Sequence, residues 1–267
     1  MVASPVQFSI VDDVGIITLN RPEARNALTA QMVGDLGKAV QSCQSGDVRA
    51  VLITGSGDAF CSGADVKVFV DHLEASGPEA VSQNVAEVAG ALHTEVIIGL
   101  RRLGKPVVAA INGVAAGAGF SLTLACDLRI AASTARFFMA YANIGATADG
   151  GSTYFLPRLV GAARAMEMYL ASQPISAESA LAMGLVSQVC PRDELEGQSM
   201  EVAARLARGP TLAYGRVKAL FQQSWGAQLE DQLEVETRGI REIALTRDFQ
   251  EGVRAFTEKR QARFRGM

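Results

Sequence analysis

Paired cysteines, clustered charge and an apolar leader are all missing from this sequence, and each absence removes a class of function. The four cysteines, Cys43, Cys61, Cys126 and Cys190, lie far apart and form no C-x-x-C, so neither a zinc knuckle nor a redox dithiol is expected. Free thiols of this kind suit a reducing cytoplasm. The net charge is only -3, with Lys and Arg scattered along the chain, which leaves no footprint for nucleic acid or for an anionic membrane. A small-molecule partner is expected instead. The segment Met1-Val2-Ala3-Ser4-Pro5 has no basic region followed by an apolar run, so no secretory signal is read there and a cytoplasmic location is expected. With 49% hydrophobic and 20% charged residues, the 267-residue chain has ordinary globular composition and enough length to bury one large core or two smaller ones.

One uncharged stretch, Pro106 to Cys126, has the length of a membrane span. Asn112-Gly113 breaks it, Ser121 and Thr123 interrupt its second half, and its residues are mainly Ala, Gly and Val. It reads as a buried strand, a turn and a buried helix. Other short apolar runs read as strands: 15–19, 50–54 and 128–131. Helical spacing alternates with them. Met32, Val33, Leu36 and Val40 share one face after the N-cap candidate Thr29, with Gly46 as a stop, and Val85 through Leu103 repeats the pattern.

Past about residue 160 strand signals nearly vanish, and 162–170, 177–183, 193–208, 211–224, 229–245 and 248–260 read as helices. Ser176 and Asp193 are N-cap candidates and Gly184 a stop. Phe249, Val253 and Phe256 form an apolar stripe suited to core or subunit contact. The class is α/β, with a body over 1–191 and a helical region over 192–267.

Two segments offer exposed backbone donors. Ala59 to Val66 follows a buried strand and is rich in small residues, so a ligand can approach its backbone. Ile111 to Gly119 also follows a strand and opens a helix, where unpaired N–H groups and the helix dipole stabilise developing negative charge. Taken alone, Gly117-Ala118-Gly119 also fits a helix packed tightly on a sheet. A dinucleotide fingerprint fits poorly, because its third glycine falls at Leu122.

In combination and in order, the motifs resemble the crotonase (enoyl-CoA hydratase/isomerase) superfamily from end to end. Asn20-Arg21-Pro22-Glu23-Ala24-Arg25-Asn26-Ala27-Leu28 is similar to its N-terminal signature. Phe60 to Asp65 and Ala110 to Asp127 are similar to its two oxyanion segments, and Glu251 to Arg260 to its last helix. The resemblance implies a spiral of ββα turns with a helical C-terminal oligomerisation region, assembled as a homotrimer or homohexamer. It implies an acyl-CoA substrate, no metal, and no cofactor beyond the CoA that the substrate carries. By position, the N–H groups of Ala64 and Ala118 would form the oxyanion hole, Ala118 replacing a common glycine. Arg25, Ala27, Ser62, Asp65 and Val66 would lie along the CoA, and Lys259 would reach its phosphates, in the same or a neighbouring subunit.

The carboxylate decides the reaction. Hydratases of this family use two glutamates, and the matching positions here are Ser121 and Tyr141, which cannot activate water and would shape the acyl pocket with Phe69, Phe120 and Met139. The acid left in the region is Asp149, where enoyl-CoA isomerases and ring-opening isomerases of the phenylacetate pathway carry theirs. One carboxylate suffices to move a double bond, since the same group removes and returns the proton. Alternatives at this point are a cap role for Asp149, an enoyl-CoA hydratase, an aryl-CoA dehalogenase using Asp149 as nucleophile with His93 near the water-activating position, and a non-catalytic CoA- or RNA-binding protein.

Overall fold

Residues 4–267 are described by the computed structural model; Met1–Ala3, on which the leader reading partly rests, lie outside the described residues. The chain opens with a hairpin, β1 (Val6–Val11) and β2 (Val14–Leu19), turned by Asp12 and Asp13, which both hold positive φ as a tight hairpin turn requires. Then follow α1 (Ala30–Ser42), β3 (Ala50–Gly55), β4 (Ala59–Cys61) and α2 (Val66–Ser76). The next helix, α3 (Pro78–Ala91), runs through a π-helical segment, Leu92–Ile97, into α4 (Ile98–Arg102). After it come β5 (Val107–Ile111), β6 (Val114–Ala116), α5 (Ala118–Ala125), β7 (Leu128–Ala132) and β8 (Arg136–Phe138). The remainder comprises α6 (Ser152–Val160), α7 (Ala162–Ala171), β9 (Ile175–Ser176), α8 (Ala177–Ala182), β10 (Gln188–Cys190), α9 (Leu195–Ala207), α10 (Thr211–Ser224), α11 (Leu229–Ala244) and α12 (Arg247–Thr257).

Successive strands divide between two sheets. One is six-stranded, ordered β1-β2-β3-β5-β7-β10, and the other four-stranded, ordered β4-β6-β8-β9. Three times the chain makes a strand in the first sheet, steps into the second and returns through helix, which is the spiral of ββα turns. Beyond the opening hairpin the larger sheet is parallel, with Leu52 beside Val108 and Val108 beside Leu128. Parallel strands covered on both sides are apolar on both faces. Val51 and Ile53 accordingly join the core beneath α1, whereas Ala50 and Leu52 pack with Leu195, Ala203 and Ala207 of α9.

Several sequence expectations need correction. The uncharged stretch from Pro106 holds two strands and a helix, β5, β6 and α5, and among the described residues no helix is long and apolar enough to cross a membrane. Helix α1 stops at Ser42, before Gly46, and α12 stops at Thr257. Asp193 caps nothing: α9 begins at Leu195 behind Glu194, without a side-chain cap. Thr29 and Ser176 do accept the N–H groups of Met32 and Ser179. Gly184, at φ 72°, closes α8 through bonds from its own N–H to Leu181 O and from Leu185 N–H to Ala180 O. The boundary at 191/192 falls within one packing layer, since α9 is what covers the second face of the larger sheet.

The C-terminal helices are tied to this body by a buried charge cluster. Lys218 of α10 donates to Leu100 O (2.8 Å), Lys105 O (3.2 Å) and the Asp127 carboxylate (2.8 Å). Arg101 reaches the other carboxylate oxygen at 3.2 Å, and Val107 N–H donates to the first at 2.9 Å.

Candidate active site

Two buried asparagines shape the first donor loop. Asn26 donates to Ser56 O (3.0 Å) and Ala59 O (2.8 Å) and accepts Arg21 N–H. Asn112 accepts Gly55 N–H and donates to Gly57 O (2.9 Å) and Ala59 O (3.1 Å). Four amide donations into three carbonyls hold the bend between β3 and β4, so the chain emerges from β4 in one direction. Beyond it, Arg25 O accepts Ser62 N–H, Gly63 O accepts Leu28 N–H and Leu28 O accepts Asp65 N–H. Arg21 forks onto Asp65 at 3.1 Å while also donating to Ala27 O at 2.6 Å. The N-terminal signature and the first donor loop are thereby one unit.

The second donor loop touches the first back to back. Gly63 has φ 96°, and a Cβ there would sit 2.9 Å from Ala116 O and 3.5 Å from Ala118 N. Gly119 lies against Cys61, whose own Cβ would be 2.6 Å from any added carbon. Side chains at these positions would drive the loops apart. Between these contacts the N–H groups of Ala64 and Ala118 remain, and neither donates to an acceptor among the described residues. Ala118 is the first residue of α5, where helices leave such donors over. Cys61, buried behind the loop, has its thiol pushed up to about 12 by desolvation and stays protonated.

Ala64, Ala118 and Asp149 line one cavity of about 410 Å³, walled mainly by aliphatic side chains of α1, α2 and α3. Asp65 lines it too, but its carboxylate is engaged by Arg21. Asp149 is presented by a sharp turn. Gly150 (φ 58°) and Gly151 (φ 77°) follow it, and Cβ atoms there would meet Ser121 Cβ at 2.6 Å and the Phe155 ring at 2.7 Å. The cap reading fails on geometry: α6 begins behind Gly151 with no side-chain cap, while the Asp149 carboxylate accepts the Tyr141 hydroxyl at 2.5 Å.

Tyr141 in turn lies 2.8 Å from Ser121 Oγ. Because the phenol proton is committed to Asp149, the serine can only donate in that contact, and its one proton is shared between the Tyr141 oxygen and Gly117 O at 3.2 Å. Burial pushes the Tyr141 phenol far above its ordinary range, and the neighbouring Asp149 charge adds to this, so Tyr141 remains a donor at any working pH. Ser121 and Tyr141 are therefore not walls of the acyl cavity, as the sequence suggested. Both are buried behind Asp149. Phe120 and Met139 also lie in the core, Phe120 against Phe137, and of the pocket-shaping side chains named from sequence Phe69 is on the cavity wall.

The other predicted contacts are dispersed. Asp65 is at the cavity, while Ser62 and Ala27 support the loop. Arg25, left-handed at φ 51°, and Val66 are exposed beside it. Lys259 is exposed in the turn after α12 and is not on the cavity wall of its own chain. His93 does not line the cavity either; its Nε2 accepts Gly150 N–H at 3.0 Å, so the nitrogen a dehalogenase would need for water is already occupied. Sequence reasoning assigned no role to Arg21, Asn26 or Asn112, although all lie in the quoted motifs, and missed His72, which lines the cavity from α2.

Tyr141→Phe removes the donor to Asp149 and leaves the cavity wall as it is. The expected result is a fall in kcat of about tenfold with KM nearly unchanged, on the scale of one hydrogen bond to a charged group. Steady-state kinetics on an enoyl-CoA substrate measure both, and an unchanged kcat would remove Tyr141 from the machinery.

Comparison with known proteins places these features in a family. The family model described as enoyl-CoA hydratase/isomerase matches residues 10–267. A protein of Rhodobacter capsulatus named a probable enoyl-CoA hydratase is 40% identical over 261 residues, 98% of each chain. The 1,2-epoxyphenylacetyl-CoA isomerase of Escherichia coli is 35% identical over 251 residues, 94% of each. A crystal structure of an enoyl-CoA hydratase from Polaromonas sp. JS666 superposes with a TM-score of 0.89 at 32% identity, covering 97% of this chain and 99% of that one.

Proposed function

The chain belongs to the enoyl-CoA hydratase/isomerase family, and from that premise we propose that it moves the double bond of an enoyl-CoA thioester through an enolate. The observation that carries this is the meeting of two unpaired backbone donors, Ala64 and Ala118, with one uncompensated carboxylate, Asp149, in a single largely apolar cavity. Asp149 takes the α proton of a β,γ-enoyl thioester. The electron pair moves through the dienolate onto the thioester oxygen, where the two N–H groups stabilise the charge. The proton then returns to the γ carbon, leaving the α,β-enoyl product and a regenerated carboxylate. One acid serves both transfers, and the Tyr141 hydroxyl, itself contacted by Ser121, fixes the orientation of its carboxylate.

Hydration would need a second acid to deliver water, and the positions matching the hydratase glutamates are spent on holding Asp149. Inserting Glu at Ser121 does not restore that chemistry, because Ser121 is fully buried and Gly150 is packed against its Cβ. The exposed apolar residues of α12, Val253 and Phe256, support association into trimers or hexamers. The test is incubation with a β,γ-enoyl-CoA in deuterated water. The expected outcome is a conjugated thioester carrying deuterium, with hydration of crotonyl-CoA slow by comparison. A 3-hydroxyacyl-CoA as main product would refute the isomerase reading.

A further inference from the structure

The cavity carries a polar feature that enolate chemistry does not use. His72 lies on α2 one turn beyond Val68, and its Nδ1 is 2.7 Å from Val68 O. A carbonyl accepts only, so the ring proton sits on Nδ1 and Nε2 carries a lone pair. Nε2 has no hydrogen-bond partner among the described residues. Val68, Phe69 and His72 share the cavity face of α2, and Asn84, Val85 and Val88 share that of α3. On the α2 and α3 side of the cavity, one imidazole and one amide are thus set among Val68, Phe69, Val85 and Val88.

The placement along the helix fixes the scale. Helix α2 starts directly after the Ala64–Asp65 loop, and six residues from Val66 to His72 advance roughly 9 Å along its axis. A thioester oxygen held at Ala64 therefore leaves His72 and Asn84 at the distal part of a medium-length acyl group, far from the carbons that exchange protons. The charge lining the cavity selects the chemistry further. No Lys or Arg is among the lining residues, and Asp65 and Asp149 both are, so an anionic terminus is disfavoured. A lone pair on Nε2 asks for a donor. An acyl group that is apolar throughout would strand it and the Asn84 amide, which costs binding.

We propose that His72 is a specificity residue: its Nε2 accepts a hydrogen bond from a hydroxyl carried on the distal part of the acyl chain, with the Asn84 amide as the second partner of that hydroxyl. The preferred substrates are hydroxylated medium-chain enoyl-CoAs. This rests on the cavity being the acyl site, and the experiment separates the two.

Calorimetric titration with saturated thioesters reads recognition without turnover. The ligands are the hexanoyl-, octanoyl- and decanoyl-CoAs and their ω-hydroxy counterparts. The unmodified protein is expected to bind one of the hydroxylated thioesters about tenfold more tightly than its unsubstituted partner, the scale of one well-made hydrogen bond. His72→Leu should remove or invert that preference while binding the unsubstituted thioesters at least as well, and His72→Gln, which retains an acceptor, should keep part of it. Equal preference in the unmodified protein and His72→Leu overturns this proposal alone. If no acyl-CoA of either series binds more tightly than CoA itself, the cavity is not the acyl site, and the proposal falls with that reading.

Discussion

Asp149→Asn is expected to bind saturated acyl-CoA with near-normal affinity and to lose α- and γ-proton exchange by about two to four orders of magnitude, the range of a general acid–base group. The substitution is close to isosteric. Its amide oxygen can still accept the Tyr141 hydroxyl, so the Gly150–Gly151 turn and the bond from Gly150 N–H to His93 have no reason to move. What is lost is the ability to take a proton from carbon. The two backbone donors and the cavity wall remain, so binding and residual enolate stabilisation persist. Exchange followed by mass spectrometry in deuterated water, with a thermal melt as a check on folding, measures the effect. Retention of exchange within about threefold would end the assignment of Asp149. The nucleophile alternative is tested on the unmodified chain with a 4-halobenzoyl-CoA, where no covalent aryl adduct is expected; because Nε2 of His93 is held by Gly150 N–H and is not free to activate water, an adduct that did form would persist and be seen by mass spectrometry.

Lys218→Ala is expected to destabilise the fold by about 3 kcal/mol, at the lower end of the cost of breaking a buried ion pair. Three acceptors converge on this ammonium, and the side chain is only 7% exposed. Removing it strands the carbonyls of Leu100 and Lys105 and takes one of two cationic partners from Asp127, which keeps Arg101. Burial lowers the Lys218 pKa, with Asp127 opposing, so the charge is held against a desolvation cost and its value lies in the groups it satisfies. Lys218→Met separates these contributions: it refills the alkyl volume but leaves the same acceptors unpaired, so most of the loss should persist. Urea denaturation of both variants supplies the numbers. A loss below about 1 kcal/mol in Lys218→Ala would show that α10 is anchored to the body by apolar packing.

The secondary elements that the sequence made legible are those whose signal is local. Runs such as 50–54 and 128–131 are apolar on both faces because parallel strands are covered twice, and this reads directly from composition. Thr29, Ser176 and Gly184 end or begin helices through bonds to neighbours within five residues. The strands β4, β6, β8, β9 and β10 were hidden, since two or three residues carry too little pattern to separate them from loops. Pairing of the first four across the second sheet is what gives the spiral its turns, while β10 closes the larger sheet beside β7. The helix limits at Asp193 and Gly46 were misread because a capping residue type acts as a cap only when the backbone brings an orphan N–H or C=O to it.

By itself the sequence determined the α/β class, the order of the motifs that resemble the family's, and the two small-residue loops able to expose backbone N–H groups; that Ser121 and Tyr141 stand where hydratases carry glutamates is what the resemblance implies. The first three are properties of residue type and spacing, which folding does not alter. Only the tertiary structure decided what those residues do to one another. It turned Ser121 and Tyr141 from cavity walls into donors behind Asp149, spent the Nε2 of His93 on a backbone N–H, and brought His72 and Asn84 from separate helices onto the cavity wall. A hydrogen bond acts over about 3 Å and depends on direction, so which partner a side chain finds is set by how distant segments pack, and that information is not held at any single position in the chain.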